Sequence, residues 1–439
     1  MSKLAIFGGE PAVKNRSDDI FRRNITKEME DAVLKVLHEW KMSSTDITKE
    51  FEKEFAQWHN MKFGLGCNTG TAAIHCAMYG AGVGAGDEII CQSTTYWASC
   101  LQAFSLGATV VFADIDPETL CINPDDIEHR ITTRTKAIIV VHYAGYPADM
   151  DRILPIARKH NIKVIEDVSH AHGALYKGKM VGTFGDVSAF SLMSGKAFAI
   201  GEAGIMLTND RDIYERAILF GHYERHSEIE NPELKKFAGL PWGGYKYRMH
   251  QMSSALGLVQ IKQFQKDMVE IDRAMNYFWD LLEGYPGIRA HRPPKNSGCT
   301  KGGWYASLGR YIKEELGGLS ITKFCEALRA EGVGWAQPGC NKALHMHPLF
   351  QSVDVYREGL PTRIAHSNRD VREKTGSLPN SEALQKKVFA VPWFKHFYPD
   401  RIKEYADAFK KVIENYKEQL LPEDKGDPEE LGGWFLSKR

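Results

Sequence analysis

Hydrophobic and polar positions along the chain follow two rhythms. From Asp87 to about Ser169, short continuous apolar runs alternate with stretches of helical period. "DEIICQ", "TVVFADID", "TKAIIVVHYAG" and "IKVIEDVS" read as strands. "WASCLQAFSLGA", "NPDDIEHRI" and "DMDRILPIARKHN" read as the helices between them. The strands are apolar throughout rather than alternating, as in a sheet covered on both faces. This alternation defines an α/β domain with a mostly parallel sheet, whose functional loops belong at the strands' carboxyl ends.

Upstream, "TKEMEDAVLKVLHEW" predicts a helix capped by Thr26, and "DITKEFEKEFAQWHN" predicts a second from Asp46. "KFGLGCNTGTAAIHCAMYGAG" predicts a strand, a Gly/Thr turn, and a helix that starts near Thr71 and stops by Gly80 to Gly82. After Tyr245 the rhythm changes to one long helical stretch ending near Gly284. A strand-like "GGWYASLGRYI" and the helix "SITKFCEALRAEG" come next. A loop rich in His, Pro and Gly then runs from Gln337 to about Leu378, and a last helix starts near Asp400. The expected division is an N-terminal arm (1–25), a large domain (26–265), a smaller α+β domain (266–421) and a tail (422–439) that reads as poorly ordered or peripheral.

Length and charge narrow the function. A chain of 439 residues is long for one core. Its 56 basic and 56 acidic residues balance, which gives no nucleic-acid surface and no polybasic membrane anchor. Eight cysteines without a CxxC pair, mostly in apolar runs, fit a reduced compartment. No leader or membrane-spanning run is visible, so the expected location is the cytoplasm. His345 and His347 invite a metal reading, but no carboxylate or cysteine cluster joins them beyond Cys340, and no metal is expected.

The candidate chemistry gathers at strand ends. Asp167 closes "IKVIED"; alone it reads equally as a turn or capping residue. The glycines of "YGAGVGAGDEII" follow a helix and precede a strand, the reverse of a dinucleotide loop, so they are a connecting turn. "CNTGTAAI" has the order of an anion site, with free amides expected at Thr71 and Ala72; simple capping by Thr69 or Thr71 is the plain alternative. Lys196 stands among small and apolar residues in "FSLMSGKAFAIGEAGIM", five places after Ser191. An amine there can form a Schiff base with pyridoxal 5'-phosphate. Thr71 and Ser191 would hold the phosphate, Asp167 the pyridine nitrogen, and Tyr96 would stack on the ring.

On these residues the sequence resembles the DegT/DnrJ/EryC1/StrS family of pyridoxal-phosphate-dependent sugar and cyclitol aminotransferases, over about Leu4 to Leu420. The motifs are "GTAA" (Gly70, Thr71, Ala72, Ala73), Thr95-Tyr96, Glu166-Asp167, Gly185-Asp186, Phe190-Ser191 and Lys196. The resemblance implies the type I, aspartate-aminotransferase-like fold, with a large domain and a smaller C-terminal one. It implies a homodimer with shared active sites, catalysis by Lys196 and Asp167, and transfer of an amino group from glutamine or glutamate to a ketosugar or cyclitol ketone. His170 stands where the family often has Gln and is expected to support the cofactor's 3-oxygen region or the aspartate. "SHAHGA" and "LAIFGGEPAV" are similar to the branch of the 3-amino-5-hydroxybenzoate synthases and scyllo-inosose aminotransferases. Ala203 replaces a glycine of the usual GEGG, a mild change unless that position needs a positive φ. Lys246 replaces the asparagine that in the family reaches the neighbouring subunit's cofactor phosphate. Arg248 keeps the family arginine. Arg248, His142 and His345 are candidate substrate contacts.

Three rivals are set against this reading. Sugar 3-dehydratases of this fold replace the Schiff-base lysine by histidine, and Lys196 opposes them. A non-catalytic regulator would not need the nearly complete cofactor set, although Lys246 departs from it. A Rossmann oxidoreductase is opposed by the order of the glycines.

Overall fold

The computed structural model describes residues 2–15, 17–352, 354, 357 and 369–434. Part of the loop expected between Gln337 and Leu378, and the last five residues of the tail, lie outside the described residues.

The described residues form twelve strands: β1 (Phe63–Cys67), β2 (Glu88–Gln92), β3 (Thr109–Ala113), β4 (Thr135–Val141), β5 (Lys163–Asp167), β6 (Leu175–Tyr176), β7 (Lys179–Met180), β8 (Val187–Ser191), β9 (Gly204–Thr208), β10 (Ile288–Ala290), β11 (Leu308–Tyr311) and β12 (Val388–Ala390). Seven of them build the main sheet in the order β1-β9-β8-β5-β4-β2-β3. The pairs from β8 to β3 are parallel, and β9 alone runs against both neighbours. β2 and β3 are buried along their whole length, in keeping with the continuous apolar runs at their centres. β10, β11 and β12 form a small antiparallel sheet, and β6 and β7 a hairpin.

Helices α1 (Lys27–His38), α2 (Asp46–Trp58) and α3 (Gly70–Gly80) start within a residue of the expected positions, α1 and α3 behind threonine caps. Thr26 Oγ1 accepts from the Met29 amide at 3.3 Å. Two expected elements come out shorter. "WASCLQAFSLGA" is a 3-10 turn (Trp97–Ser99) and one α turn (Gln102–Ser105), because Cys100, at φ −139°, breaks the helix. Of "GGWYASLGRYI" only Leu308–Tyr311 is strand; Gly302, Trp304 and Ala306 each have φ of 54°, outside any strand.

Two apolar cores divide the molecule. The larger surrounds the main sheet with α2 and α3 and ends on Phe264 of the long helix Gln251–Leu281. The smaller begins on the same helix at Ile271 and takes in Phe324, Phe389 and Phe409. The arm belongs to this second core: Leu4, Val13 and Ile20 are fully buried, and the amides of Ala5 and Ala12 bond to the Glu331 carboxylate at 2.7 and 2.9 Å. The described part of the tail is held, not loose. Asp424 accepts from the Ser320 amide and hydroxyl at 2.7 and 2.6 Å, Asp427 caps Thr322, and Gly433 pairs with Asn341. No helix among the described residues is long and apolar enough to cross a membrane.

Candidate active site

A cavity of about 390 Å³ opens where β4, β5 and β8 end and α3 begins. Its floor is the first turn of α3. Thr69 Oγ1 accepts from the Ala72 amide at 3.0 Å, and the Ala73 amide bonds to the Thr69 carbonyl at 3.1 Å. The amide of Ala72, a sequence candidate, is therefore used by the cap. Gly70 and Thr71, which line the cavity, precede the first intrahelical bond, so their amides are left for a ligand. Glycine is required at position 70: a Cβ there would lie 2.4 Å from Cβ of Ser191, at the end of β8. A Cβ on Gly204 would lie 2.3 Å from the Thr69 carbonyl oxygen. Beside it, Ala203 is buried with no positive φ, so alanine fits there without strain.

Asp167 ends β5 with its carboxylate at the cavity wall. Oδ2 accepts from the Ser99 hydroxyl at 2.7 Å and Oδ1 from the Ser169 amide at 3.0 Å. Thr95 and Ser99 share a 2.9 Å bond, which fixes the rotamer of Ser99. Tyr96 lines the same wall, with its ring centroid 5.0 Å from that of Trp97.

Lys196 is 9% exposed and enters the cavity from the loop after β8. Its Nζ lies 4.2 Å from the ring centroid of Tyr305. Burial lowers its amine from 10.5 to about 8, against a smaller opposing pull from Asp167. His170 completes this side. Its Nδ1 accepts from the Ala144 amide at 3.3 Å, so the ring proton sits on Nε2. Burial, then the charges of Lys196 and His172, hold His170 well below the usual imidazole range, and the ring is neutral.

One cavity thus gathers Gly70, Thr71, Tyr96, Asp167, His170, Ser191 and Lys196. Sequence reasoning missed Ser99, Glu202 and Tyr305, which share the cavity with Ser169, the near neighbour of Asp167 in sequence. Tyr305, on an aperiodic segment far along the chain, gave no signal.

The other candidates lie elsewhere. His142 is fully buried; its Nε2 donates to Glu166 Oε2 at 2.9 Å and its Nδ1 accepts from the Ala148 amide at 3.0 Å. Both ring nitrogens are occupied, so His142 is a framework residue and not a substrate contact. Glu166 also accepts from the amides of Gly182, Phe184 and Gly185, each at 2.7 Å. Burial pushes its carboxyl up, but the bonds from His142 and these amides outweigh it and the net shift is downward. His345 is likewise buried away from the cavity, between Ser93 Oγ at 2.7 Å and Glu382 Oε1 at 3.1 Å. It pins its loop to the end of β2 in place of touching a substrate. Lys246 is exposed and Arg248 half-buried, and neither lines the cavity of its own chain. Their segment runs beside the start of α3: the Asn68 amide donates to the Tyr247 carbonyl at 2.7 Å, and Cys67 pairs with Arg248.

Chemically, the cavity offers amides to an oxyanion, a carboxylate to a cationic ring nitrogen and, to a carbonyl carbon, an amine that loses its proton more readily than an ordinary lysine. The main sheet, with its single antiparallel strand, is that of the type I pyridoxal-phosphate-dependent aminotransferases. Residues 23–410 match the DegT/DnrJ/EryC1/StrS aminotransferase family, and the chain belongs to it. It is 31% identical over 429 residues to the L-glutamine:2-deoxy-scyllo-inosose aminotransferase of Streptomyces kanamyceticus, covering 94% of this chain and 97% of the relative. It is 38% identical over 243 residues to the GDP-perosamine synthase of Caulobacter vibrioides, covering 55% and 64%. Among solved structures, it is similar to the aminotransferase from Psychrobacter cryohalolentis, with a TM-score of 0.75, 26% identity and coverage of 89% and 98%. The protein is an aminotransferase of the sugar and cyclitol class.

Proposed function

We propose that this enzyme uses pyridoxal 5'-phosphate to move an amino group from glutamine or glutamate to a cyclic ketone, an inosose or a nucleotide-linked ketosugar. The observation that carries the reading is the presence of Lys196 and Asp167 on one cavity whose floor is a helix N-terminus. These residues fit the cofactor. The close approach of Gly70 to Ser191 brings the amides of Gly70 and Thr71 and the hydroxyl of Ser191 to one end of the cavity, a donor set that suits a phosphate. Asp167, oriented by Ser99 and Ser169, would hold a proton on the pyridine nitrogen. Tyr96 would cover one ring face, and the Nε2 proton of His170 would serve an oxygen on the ring's edge.

When bound, pyridoxal phosphate supplies an electron sink that lets an amine leave one carbon skeleton and join another. The chain's own part is to bind, orient and move protons. Lys196 Nζ, lowered to about 8, is a base of the strength needed to take a proton from a substrate carbon and return it. The aromatic wall of Tyr305 keeps that amine desolvated. Burial of Asp167 strengthens its charge on the ring nitrogen.

Homodimerisation is part of the reading. Leu34, Leu37 and Trp40, near one end of the molecule's sequence, and Phe237, Leu240 and Trp242, just ahead of Lys246, are exposed. Such apolar side chains suit an interface between subunits. Across it, Lys246 would reach the partner's cofactor phosphate. Location in the cytoplasm is consistent with the free cysteines, of which seven of eight are buried.

The test is a matrix of acceptors and donors. Inososes and nucleotide-linked ketosugars are each incubated with glutamine or glutamate, and aminated product is detected by mass. Product from one acceptor class with one donor names the reaction. Absence of any aminated product, with a protein that shows a visible cofactor band, overturns it.

A further inference from the structure

Behind the active-site loop lies a second cavity, of about 400 Å³, between the arm, the long helix Gln251–Leu281 and the smaller core. It takes side chains from all three: Arg23 from the arm, Lys262, Lys266 and Asp267 from the helix, and Lys395 from the loop after β12.

The balance of charge here is unusual. Lys395 is 9% exposed and its Nζ sits 2.9 Å from the Trp393 ring centroid, yet no carboxylate lies within ion-pair distance among the described residues. Arg23 donates through Nη2 to the Lys196 carbonyl at 3.0 Å, while its buried Nη1 has no partner among the described residues. Lys262 and Lys266 stand exposed at the rim, one helical turn apart, and form no ion pair among the described residues. The acidic groups do not neutralise these four basic side chains. Glu270 is engaged by His396 Nδ1 at 3.3 Å and by the Phe397 amide at 3.1 Å. His396 Nε2 is turned to the Arg22 carbonyl at 2.9 Å. Asp267 alone faces Arg23, without an ion pair. Burial, then the charge of Arg23, drive the Lys395 amine well below its ordinary value, with Asp267 opposing. Buried cations are expensive unless an anion meets them.

We propose that this second cavity is a binding site for a small molecule carrying a carboxylate or phosphate group, held by Arg23 and Lys395 with Lys262 and Lys266 at its rim. The cavity is large enough for more than the anionic group itself. An occupant on Arg23 would be one hydrogen bond from the backbone of Lys196, which couples the site to the lysine of the catalytic cavity. The proposal goes beyond the aminotransferase reading, and its test needs no turnover.

The cofactor-loaded dimer is titrated calorimetrically with inorganic phosphate and with glutarate, using the wild type, Lys395→Met and Lys262→Ala. Methionine keeps the stem packed on Trp393, and a melting curve confirms the fold. At least one ligand should saturate a site that Lys395→Met weakens by about tenfold, the loss of one charge-assisted bond. Lys262→Ala, on the exposed rim, should weaken it less. Saturation by phosphate alone assigns a phosphate group, by glutarate alone a carboxylate, and by both a site that accepts either. The proposal is overturned if neither ligand saturates the wild type, or if Lys395→Met binds both with unchanged affinity and stoichiometry.

Discussion

The hydroxyl of Ser99 donates a 2.7 Å hydrogen bond to Oδ2 of Asp167, and both side chains are buried. The aspartate is thereby held in one orientation by a residue from the turn after β2. Ser99→Ala would leave one carboxylate oxygen without its donor and let the group rotate. The expected result is a fall in kcat of about tenfold. Asp167→Asn, which removes the charge itself, should cost about a hundredfold or more, as loss of a preorganised electrostatic partner does elsewhere. Steady-state rates of the two variants check this; equal effects would argue that Ser99 does more than orient.

The order of these elements was legible because α/β folds repeat their pattern along the chain. The strand ending at Asp167 and the turn at Gly70 each carry a local signature. What was not legible depends on contacts between distant segments. Tyr305 reaches Lys196 from a loop whose backbone, with positive φ at Trp304 and Ala306, follows no period. His142 and His345 read as candidate substrate contacts, yet each is satisfied internally, by Glu166 and by Ser93 with Glu382. The tail looked unstructured because its anchors, Asp424 and Asp427, bind Ser320 and Thr322 roughly a hundred residues upstream. Composition gives no sign of such pairs.

Lys196 should leave a mark on stability as well as on chemistry. In the folded apoprotein its amine titrates at about 8, against 10.5 for the ordinary group. Between these values the unfolded chain binds a proton that the folded chain does not, so stability rises with pH across that window. Below about 8 the penalty is complete. Lys196→Met removes it, and the apo variant should be more stable than apo wild type near neutral pH by up to about 3 kcal/mol. Urea melts at pH 7 and at pH 10 test the sign: the difference must shrink at the higher pH. The same variant should bind the cofactor only non-covalently and lose turnover.

Gly70 is a steric test of the phosphate cradle. A methyl group there would lie 2.4 Å from Cβ of Ser191 and 2.7 Å from its Cα. Neither the helix start nor the end of β8 can yield without disturbing Thr71 and Ser191. Gly70→Ala should weaken cofactor retention by about tenfold or more, while unfolding costs change by about 1–3 kcal/mol. Equilibrium dialysis against pyridoxal phosphate reads the first and urea denaturation the second. Unchanged retention would count against this turn as the phosphate site.

The exposed Lys246 decides whether the sites are shared. If Lys246 serves the partner's cavity, it and Lys196 act in different sites of one dimer. Lys196→Ala and Lys246→Ala homodimers should then both be impaired, the first completely. In a mixed dimer, one cavity receives both substitutions and the other receives neither. The second cavity is wholly native. Random exchange of equal amounts makes half the dimers mixed, so about a quarter of the wild-type sites should recover. If Lys246 served its own chain, every cavity in the mixed dimer would carry one substitution and no native site would form. The experiment is to unfold and refold the two variants together and compare the rate with that of each refolded alone. The recovered activity, if it appears, should fall on dilution below the dimer's dissociation constant, because the native cavity then loses the subunit that completes it.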